Sequence, residues 1–268
     1  MASQRPITLL QFTDTHFFGT PSGRLMGVDT ASTFREVRDL ARKQEGVPDF
    51  YLLTGDLSQD ESPESYARFA EELGAIDAPA YFLPGNHDAR DSMHAAFTES
   101  DAPIRPEESF TSGNWLVILL DSQVPGKIGG RLAPEQLKRL DALLSEHKDK
   151  HALVTMHHHP TPIGAAWLDQ ICVENGDEFF ALIAKHKNVR TVLWGHIHQE
   201  FEAERDGIRL LGTPSTCVQF KPKSAKFALD AIPPGYRLLQ LFEDGKVETR
   251  VQRTPNIAAG LERDSAGY

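Results

Sequence analysis

The sequence predicts an α/β fold. Apolar runs rich in branched residues alternate with segments of helical periodicity, and this alternation begins at residue 7. In the final third of the chain it gives way to a pattern typical of an antiparallel hairpin. We find no internal repeat and no linker rich in Gly, Ser or Pro. We therefore expect residues 1–268 to form one domain, α/β with an antiparallel portion near residues 236–253.

The predicted strands are short and mostly apolar. Before the hairpin they cover residues 7–13, 49–54, 81–83, 115–120, 152–156, 189–194 and 209–211. The hairpin is predicted from residues 236–242 and 246–253, which flank the turn residue Gly245. Residues 222–235 are rich in Lys and Pro, and we expect them to form a loop.

The predicted helices lie between these strands. The first is expected to begin with Asp29 or Thr30 as its N-cap, because apolar residues then recur at helical spacing. The second is expected to begin at Pro63, because Ser62 can cap the free amides and proline suits the first helical turn. The same periodicity predicts further helices over residues 134–147 and 176–186.

Charge and hydropathy exclude several classes of protein. The chain has 28 Lys and Arg against 38 Asp and Glu, a formal charge of −10, so it would repel nucleic-acid backbones and anionic lipid surfaces. Its longest apolar runs, residues 115–120 and 179–184, are far shorter than the roughly 20 residues of a spanning helix. The two cysteines follow no metal or redox spacing, and the start of the chain does not resemble a secretory signal. We expect no nucleic acid and no membrane partner, and a cytoplasmic location.

Metal-binding residue types follow five of the predicted strands. In chain order they are Asp14 with His16, then Asp56, Asn86, His157, and His196 with His198. In α/β sheets the ligand site lies beyond the carboxyl ends of the strands, so these side chains are expected to share one pocket. Taken singly, each has an ordinary explanation, since a strand-end Asp is often a turn former. Their joint order favours a metal centre.

The donor types indicate which metals fit. Asp and Asn supply hard oxygen and His supplies nitrogen, with no thiolate, so Mn, Fe or Zn fits better than a soft thiolate site or an all-oxygen Ca or Mg site. In the D-x-H and H-x-H spacings, residues i and i+2 point the same way from a strand end. The side chains are too many for one tetrahedral ion, and two ions sharing a carboxylate would use them.

Three histidines are adjacent at residues 157–159, and they cannot all face one metal ion. His157 continues its strand directly and is the expected ligand. His158 and His159 are expected to lie near substrate or to be satisfied structurally. Asp121 follows the strand at 115–120, and we expect it to be structural.

The five blocks D-x-H, G-D, G-N-H-D, a strand-end H and G-H-x-H resemble the signature of the calcineurin-like metallophosphoesterases. Further segments are similar to the bacterial class III 3′,5′-cyclic-AMP phosphodiesterases over nearly the whole chain. These segments are residues 12–18, 57–60, 119–123, 167–170 and 213–222. The resemblance implies a four-layer α/β/β/α sandwich with the metal site at the C-terminal ends of the strands.

The resemblance also implies roles for the motif residues. It assigns Asp14, His16, Asp56 and His198 to one metal and Asp56, Asn86, His157 and His196 to the other, with Asp56 bridging. It makes His87 and Asp56 the catalytic residues, and Asp88 could orient or acidify the His87 imidazole. It places the substrate against His16, Asp56, Asn86, His87 and His198.

The function implied is hydrolysis of cyclic AMP to 5′-AMP by two divalent ions, Fe or Mn in preference to Zn, with a bridging hydroxide as nucleophile. His87 would give its proton to the departing 3′-oxygen. The alternative is a broader metal-dependent phosphodiesterase acting on 2′,3′-cyclic nucleotides, glycerophosphodiesters or aryl phosphodiesters. An interaction scaffold that lost catalysis would be expected to have lost some of these ligands. The sequence predicts no oligomeric state.

The residues that would contact the base are less defined. The candidate walls are the loop at residues 19–28, Trp167, and the segment at 217–221, in which Phe220 could stack on adenine and Lys221 could contact phosphate or ribose.

Overall fold

The computed structural model describes residues 5–265 and Gly267. Two six-stranded sheets and five helices form the framework of this part of the chain. The strands are β1 (Ile7–Phe12), β2 (Phe50–Thr54), β3 (Ala80–Leu83), β4 (Ile104–Arg105), β5 (Ser109–Ser112), β6 (Trp115–Leu119), β7 (His151–Met156), β8 (Val189–Trp194), β9 (Phe201–Arg205), β10 (Ile208–Gly212), β11 (Gln219–Phe220), β12 (Leu229–Asp230), β13 (Gly235–Leu241) and β14 (Val247–Arg253). The helices are α1 (Thr30–Glu45), α2 (Pro63–Leu73), α3 (Arg90–Glu99), α4 (Pro134–Glu146) and α5 (Gly176–Ile183), with a short 3₁₀ helix at Leu168–Ile171.

The first sheet has the strand order β14-β13-β1-β2-β3-β4, and the second has the order β5-β6-β7-β8-β10-β9. Strands β1 to β4 are parallel, as are β6, β7, β8 and β10. The hairpin of β13 and β14 joins the first sheet through antiparallel pairing of β13 with β1. The predicted C-terminal hairpin is therefore confirmed, and it extends the sheet that begins the chain.

The two sheets pack face to face and each carries helices on its outer face. Leu9 and Leu52 from the first sheet meet Val117, Leu153 and Leu193 from the second in a buried cluster. The alternate residues of the first sheet pack on α1, α2 and α3, and those of the second sheet pack on α4 and α5. This alternation follows from the two-residue period of a strand. The four-layer α/β/β/α sandwich is confirmed.

The helix starts follow the predicted capping chemistry. The Asp29 side chain accepts a hydrogen bond from the Ser32 amide at 3.0 Å, so Asp29 and not Thr30 is the N-cap of α1. The Ser62 hydroxyl accepts from the Ser65 amide at 3.2 Å and caps α2. No described helix combines the length and the apolarity that crossing a bilayer requires.

Several elements differ from the sequence prediction. Helix α3 was not predicted, because it buries only two apolar residues, Met93 and Phe97, and its N-cap residue is an alanine. Strand β9 was not predicted, because it is an edge strand of mostly exposed residues. Strand β12 lies inside the predicted loop at 222–235, where it forms a two-residue pairing with β11.

Candidate metal centre

The predicted ligands lie in loops that follow the carboxyl ends of β1, β2, β3, β7 and β8, and backbone hydrogen bonds join these loops. The Asp14 amide donates to the Gly55 carbonyl at 3.0 Å, and the His16 amide donates to the Asp56 carbonyl at 2.9 Å. Within the second sheet the Gly195 amide donates to the His157 carbonyl at 3.1 Å, and across the two sheets the His196 amide donates to Asp14 Oδ1 at 3.1 Å. The ends of both sheets are thus joined at one place.

An unusual backbone conformation marks this region. Nine non-glycine residues of the described chain have positive φ, and five of them are predicted ligands. These are Asp14 (54°), His16 (47°), Asp56 (50°), His196 (64°) and His198 (46°). Such conformations cost on the order of 1 kcal/mol or more each and persist where surrounding contacts hold them. The fold therefore holds these side chains in place at an energetic cost.

Two glycines are required by close approach within the same loops. A Cβ at Gly85 would overlap the Asp56 side chain, and a Cβ at Gly195 would overlap the Thr13 hydroxyl. Each glycine precedes a predicted ligand, Asn86 or His196. Any larger residue would push the ligand loops apart.

One cluster of ligand atoms contains Asp14, His16 and His198, all fully buried. The His198 Nε2 lies 3.2 Å from Asp14 Oδ1 and 3.3 Å from His16 Nε2. The His198 Nδ1 lies 2.8 Å from the Val218 carbonyl and donates to it, which directs Nε2 into the cluster. This is the arrangement by which a second hydrogen bond orients a metal-binding imidazole.

A second cluster lies around His157. Its Nε2 is 3.2 Å from Asp56 Oδ2 and 3.3 Å from Asn86 Oδ1, and its Nδ1 donates to the Thr54 carbonyl at 2.8 Å. The ligand atoms of Asp14, Asp56 and His157 form one group within mutual reach. The His196 ring packs against the His157 ring with centroids 5.1 Å apart. All seven predicted ligands therefore converge.

The ring of His196 gives the strongest test of whether a cation fits. The residue is only 3% exposed, and neither ring nitrogen has a hydrogen-bond partner among the described residues. A buried polar atom without a partner is costly, and a bound metal ion would satisfy it. The donor set of carboxylates, one amide oxygen and imidazoles is also the set that Mn, Fe and Zn accept.

The charge states of two of the buried imidazoles agree with this fit. Burial lowers the pKa of His16 to about 3 against the opposing charge of Asp56, and burial together with the neighbouring histidines lowers the pKa of His196. These two rings are therefore neutral, which is the form that binds a metal. Burial opposes ionisation of Asp56 and of His157, but their mutual attraction lowers the pKa of Asp56 and raises that of His157 to about 9.

His87 and Asn86 lie at the accessible side of these clusters, since both are half-buried. The His87 amide donates to Asp56 Oδ1 at 2.9 Å, and the His87 ring lies 5.3 Å from the His16 ring between centroids. The imidazole predicted to be catalytic is thus beside the ligands.

The expectation that Asp88 orients His87 is not supported by the contacts of Asp88. Its carboxylate accepts hydrogen bonds from the amides of Leu57 at 3.1 Å, Ser58 at 3.1 Å and Gly85 at 2.8 Å, and from the Tyr66 hydroxyl at 3.2 Å. Asp88 therefore ties the loop after β2 to the loop after β3, the loops that carry Asp56 and Asn86. The Asp88 carboxylate faces the loop after β2 and not the His87 ring because adjacent residues in a turn point in different directions.

The other two adjacent histidines are placed differently. The His158 nitrogens lie 2.8 Å from the Ser122 hydroxyl and 2.9 Å from the Ile128 carbonyl, so this ring is satisfied structurally. A ring nitrogen of His158 nevertheless lies within 4.8 Å of ring nitrogens of His157 and His196, so these three side chains could share a metal ion. The sequence position of His158 did not indicate this. His159 is fully buried, and its Nε2 lies 3.9 Å from the Asp169 carboxylate.

Other predicted and unpredicted contacts complete the site. Asp121 forms an ion pair with Arg90 at 2.6 Å, as expected for a structural residue. Phe220 stacks on the His198 ring with centroids 4.1 Å apart and 7° between the planes. Phe220 is 1% exposed, and its stacking on His198 places one face of its ring against a candidate ligand. Tyr66 was missed as a supporting residue, because its sequence position indicates only helix packing.

Comparison with known proteins agrees with this geometry. Residues 7–200 match the calcineurin-like phosphoesterase family. The chain is 41% identical over 267 residues to the 3′,5′-cyclic adenosine monophosphate phosphodiesterase CpdA of Pseudomonas aeruginosa, covering 100% of this chain and 97% of that protein. It is also 41% identical to CpdA of Escherichia coli K12 over 269 residues, with the same coverage.

Among solved structures, a dimetal phosphatase from Danio rerio shares the fold. The TM-score is 0.66 at 17% identity, and the match covers 94% of this chain and 100% of that one. The matched residues 7–200 include every predicted ligand and both sheets up to β8. This chain belongs to the calcineurin-like phosphoesterase family.

Proposed function

We propose that this protein hydrolyses 3′,5′-cyclic AMP to 5′-AMP. The observation that carries the proposal is the convergence of two carboxylates, an amide and four imidazoles at the strand ends of both sheets, with His87 at the accessible side. The full-length similarity to CpdA phosphodiesterases supports the choice of substrate.

The ligand side chains would hold two divalent ions. Asp14, His16 and His198 belong to one group, and His157, His196 and Asn86 to the other. Asp56 lies between them, because its Oδ2 is 3.9 Å from His16 Nε2 and 3.2 Å from His157 Nε2. We propose Fe or Mn, with Zn as an alternative, because the donors are oxygen and nitrogen without sulfur.

When bound, the ions would neutralise the phosphodiester and lower the pKa of the attacking water. The protein's own contribution is positioning and proton transfer. Asn86 and His87 line a cavity beside the candidate ligands. We propose that they contact the phosphate together with His16, Asp56 and His198. His87 would donate a proton to the departing 3′-oxygen, a role suited to an accessible imidazole. The Asp56 carboxylate fixes the His87 backbone through the hydrogen bond to its amide.

Three further proposals accompany this one. The whole chain, residues 1–268, would act as one domain, because β13 and β14 complete the sheet that carries Asp14, Asp56 and Asn86. The substrate would be a small molecule, with neither nucleic acid nor membrane as partner. A cytoplasmic location is supported by Cys172 and Cys217, which are both free thiols.

A substrate panel tests the proposed function. Protein stripped of metal would be reconstituted separately with Fe, Mn and Zn and given 3′,5′-cyclic AMP, 2′,3′-cyclic AMP, a glycerophosphodiester and an aryl phosphodiester. We expect the highest kcat/KM with 3′,5′-cyclic AMP. Faster turnover of the 2′,3′-cyclic or aryl diester with every metal would favour the broader phosphodiesterase instead.

A further inference from the structure

A mostly apolar cavity of about 280 Å³ lies beside the candidate metal centre. Asn86, His87 and His196 form its polar side. Its apolar lining comes from Ile128, Trp167, Leu168, Ile171, Phe220 and Phe227. We propose that this cavity receives the base of the cyclic nucleotide, with Trp167 and Phe227 as the stacking surface. The inference rests on the proposed function, because it assumes that the phosphate lies at Asn86 and His87.

Three aromatic rings in this wall contact one another edge to face. The Trp167 ring lies 5.1 Å from Phe220 and 5.2 Å from Phe227, with planes inclined by 70° and 72°. Phe220 and Phe227 lie 5.4 Å apart at 68°. Mutual edge-to-face contact fixes the orientation of aromatic rings. The wall is therefore formed before any ligand arrives.

The three rings differ in what they can offer a ligand. Phe220 is buried and stacks on His198, so it supports a candidate metal ligand rather than a base. Trp167 and Phe227 are half-buried and line the cavity, so each has surface that a ligand can cover. Trp167 and Phe227 are therefore the rings that can stack on a planar ligand.

Ile128 contributes an exposed apolar side chain to the same cavity. It is 57% exposed, one of three large hydrophobic residues exposed in the described part of the chain. His158 donates a hydrogen bond from its ring to the Ile128 carbonyl at 2.9 Å, which fixes this loop to the metal-centre histidines. A bound base would cover Ile128 and remove its apolar surface from water.

The chemistry of the lining selects a class of ligand. The described residues that line the cavity include no Lys, Arg, Asp or Glu. A neutral planar ring fits such a wall. The glycerol group and the charged head group of a glycerophosphodiester would lose hydration there. Stacking strength grows with ring area, so we expect a purine to bind better than a pyrimidine. Stacking alone is tolerant of base identity, so the cavity does not select adenine over guanine.

The first test compares variants on substrates with and without a base. Trp167→Ala and Phe227→Ala would be measured on 3′,5′-cyclic AMP and on ribose 3′,5′-cyclic phosphate. Loss of one stacking contact is expected to raise KM for cyclic AMP about 10- to 100-fold while kcat changes little. Kinetics on the base-free substrate should not change. Phe242→Ala is the matched control, since Phe242 is a half-buried ring beyond the end of β13, where it contacts Lys246.

The second test measures binding without turnover. The protein has three tryptophans, and Trp115 and Trp194 are fully buried, so quenching of fluorescence by 5′-AMP would report on Trp167. We expect quenching by 5′-AMP and none by ribose 5-phosphate, with Phe227→Ala weakening the binding of 5′-AMP. Trp167→Phe keeps an aromatic ring and should keep KM within a few-fold of the parent, which separates stacking from misfolding.

The outcomes separate this inference from the proposed function. If cyclic AMP is hydrolysed and the alanine variants leave KM unchanged, the base binds elsewhere and the inference is overturned. If cyclic AMP is not hydrolysed, the proposed function fails. In that case 5′-AMP binding that depends on Trp167 and Phe227 would still support the cavity as a base site, and absence of such binding would overturn both.

Discussion

The Asp88 carboxylate connects the two loops that carry Asp56 and Asn86, and its replacement by asparagine tests that role. One carboxylate oxygen accepts from the Ser58 amide and the other from the Gly85 amide. The Asp88→Asn side chain has nearly the same shape but replaces one of these oxygens with an NH₂ group. Whichever way the amide is turned, an N–H donor then faces a backbone N–H donor.

The expected loss of stability follows from those contacts. Asp88 is 4% exposed, so a backbone donor left without an acceptor cannot be satisfied by bulk water. A hydrogen bond to a charged group contributes about 1.5–3 kcal/mol, and a buried unsatisfied donor costs about 1–3 kcal/mol. Relief of the buried charge offsets part of this loss, because burial and the nearby Asp56 raise the pKa of Asp88 to about 7. We therefore expect Asp88→Asn to lower the free energy of unfolding by only about 1–2 kcal/mol. Because the two loops also position the candidate metal ligands Asp56 and Asn86, we expect metal affinity to fall about tenfold or more.

The assay is urea unfolding of the metal-free protein, followed by metal titration of the folded variant. Burial and the nearby Asp56 raise the pKa of Asp88 to about 7, so measurement at pH 8.5 compares the amide with the ionised carboxylate. The matched control is Glu174→Gln, which removes exposed ion pairs to Lys127 and Arg131 and should leave the stability nearly unchanged. An Asp88→Asn variant as stable and as tight for metal as the control would refute the reasoning.

Three further changes give distinct readouts. Asp56→Ala should abolish binding of at least one metal together with turnover, and full activity in this variant would contradict a shared carboxylate. His87→Ala should keep both metals and lower kcat by roughly 10²–10⁴, so loss of metal would show that His87 is a ligand. Arg237→Ala should lower the free energy of unfolding by about 3 kcal/mol, because the buried guanidinium bonds Glu202 and the Gly212 carbonyl. Urea unfolding checks this, and a change under about 0.5 kcal/mol would contradict it.

The sequence predicted which candidate ligands lie together because the signal is local. Asp14, His16, Asp56 and His157 each lie within a few residues of a strand end, and parallel strands bring their carboxyl ends together. The strand ends were predictable from runs of branched apolar residues. The strands are apolar on both faces, so each sheet must be covered on both sides. One side packs on the other sheet and the opposite side packs on helices.

The remaining features depend on contacts that no local pattern encodes. Asp88 follows His87 in sequence, yet its carboxylate lies against the loop after β2. Phe220 could stack on a base as far as its sequence position indicates, but in the fold one face of its ring stacks on His198. The apolar cavity is built from Ile128, Trp167 and Phe227, which come from three separate loops. Only the tertiary fold brings such residues together.

The formal charge of −10 describes the whole surface, and the candidate site has different electrostatics. Buried carboxylates such as Asp14 and Asp56 would repel a phosphodiester by themselves. With two divalent ions bound, the local charge would change sign, because the ions bring about four positive charges. An acidic chain can in this way bind an anionic substrate without a basic surface.

The most direct test of this account is the metal content per chain measured against cyclic AMP turnover. Protein purified under low oxygen and titrated with Mn or Fe should bind two ions per chain, and turnover should appear as the second ion binds. Asp56→Asn keeps the size of the side chain but removes its charge. This variant should lose the second ion and the turnover of cyclic AMP. Full turnover of cyclic AMP with one ion or none, or an Asp56→Asn variant with unchanged stoichiometry and rate, would contradict the two-metal account.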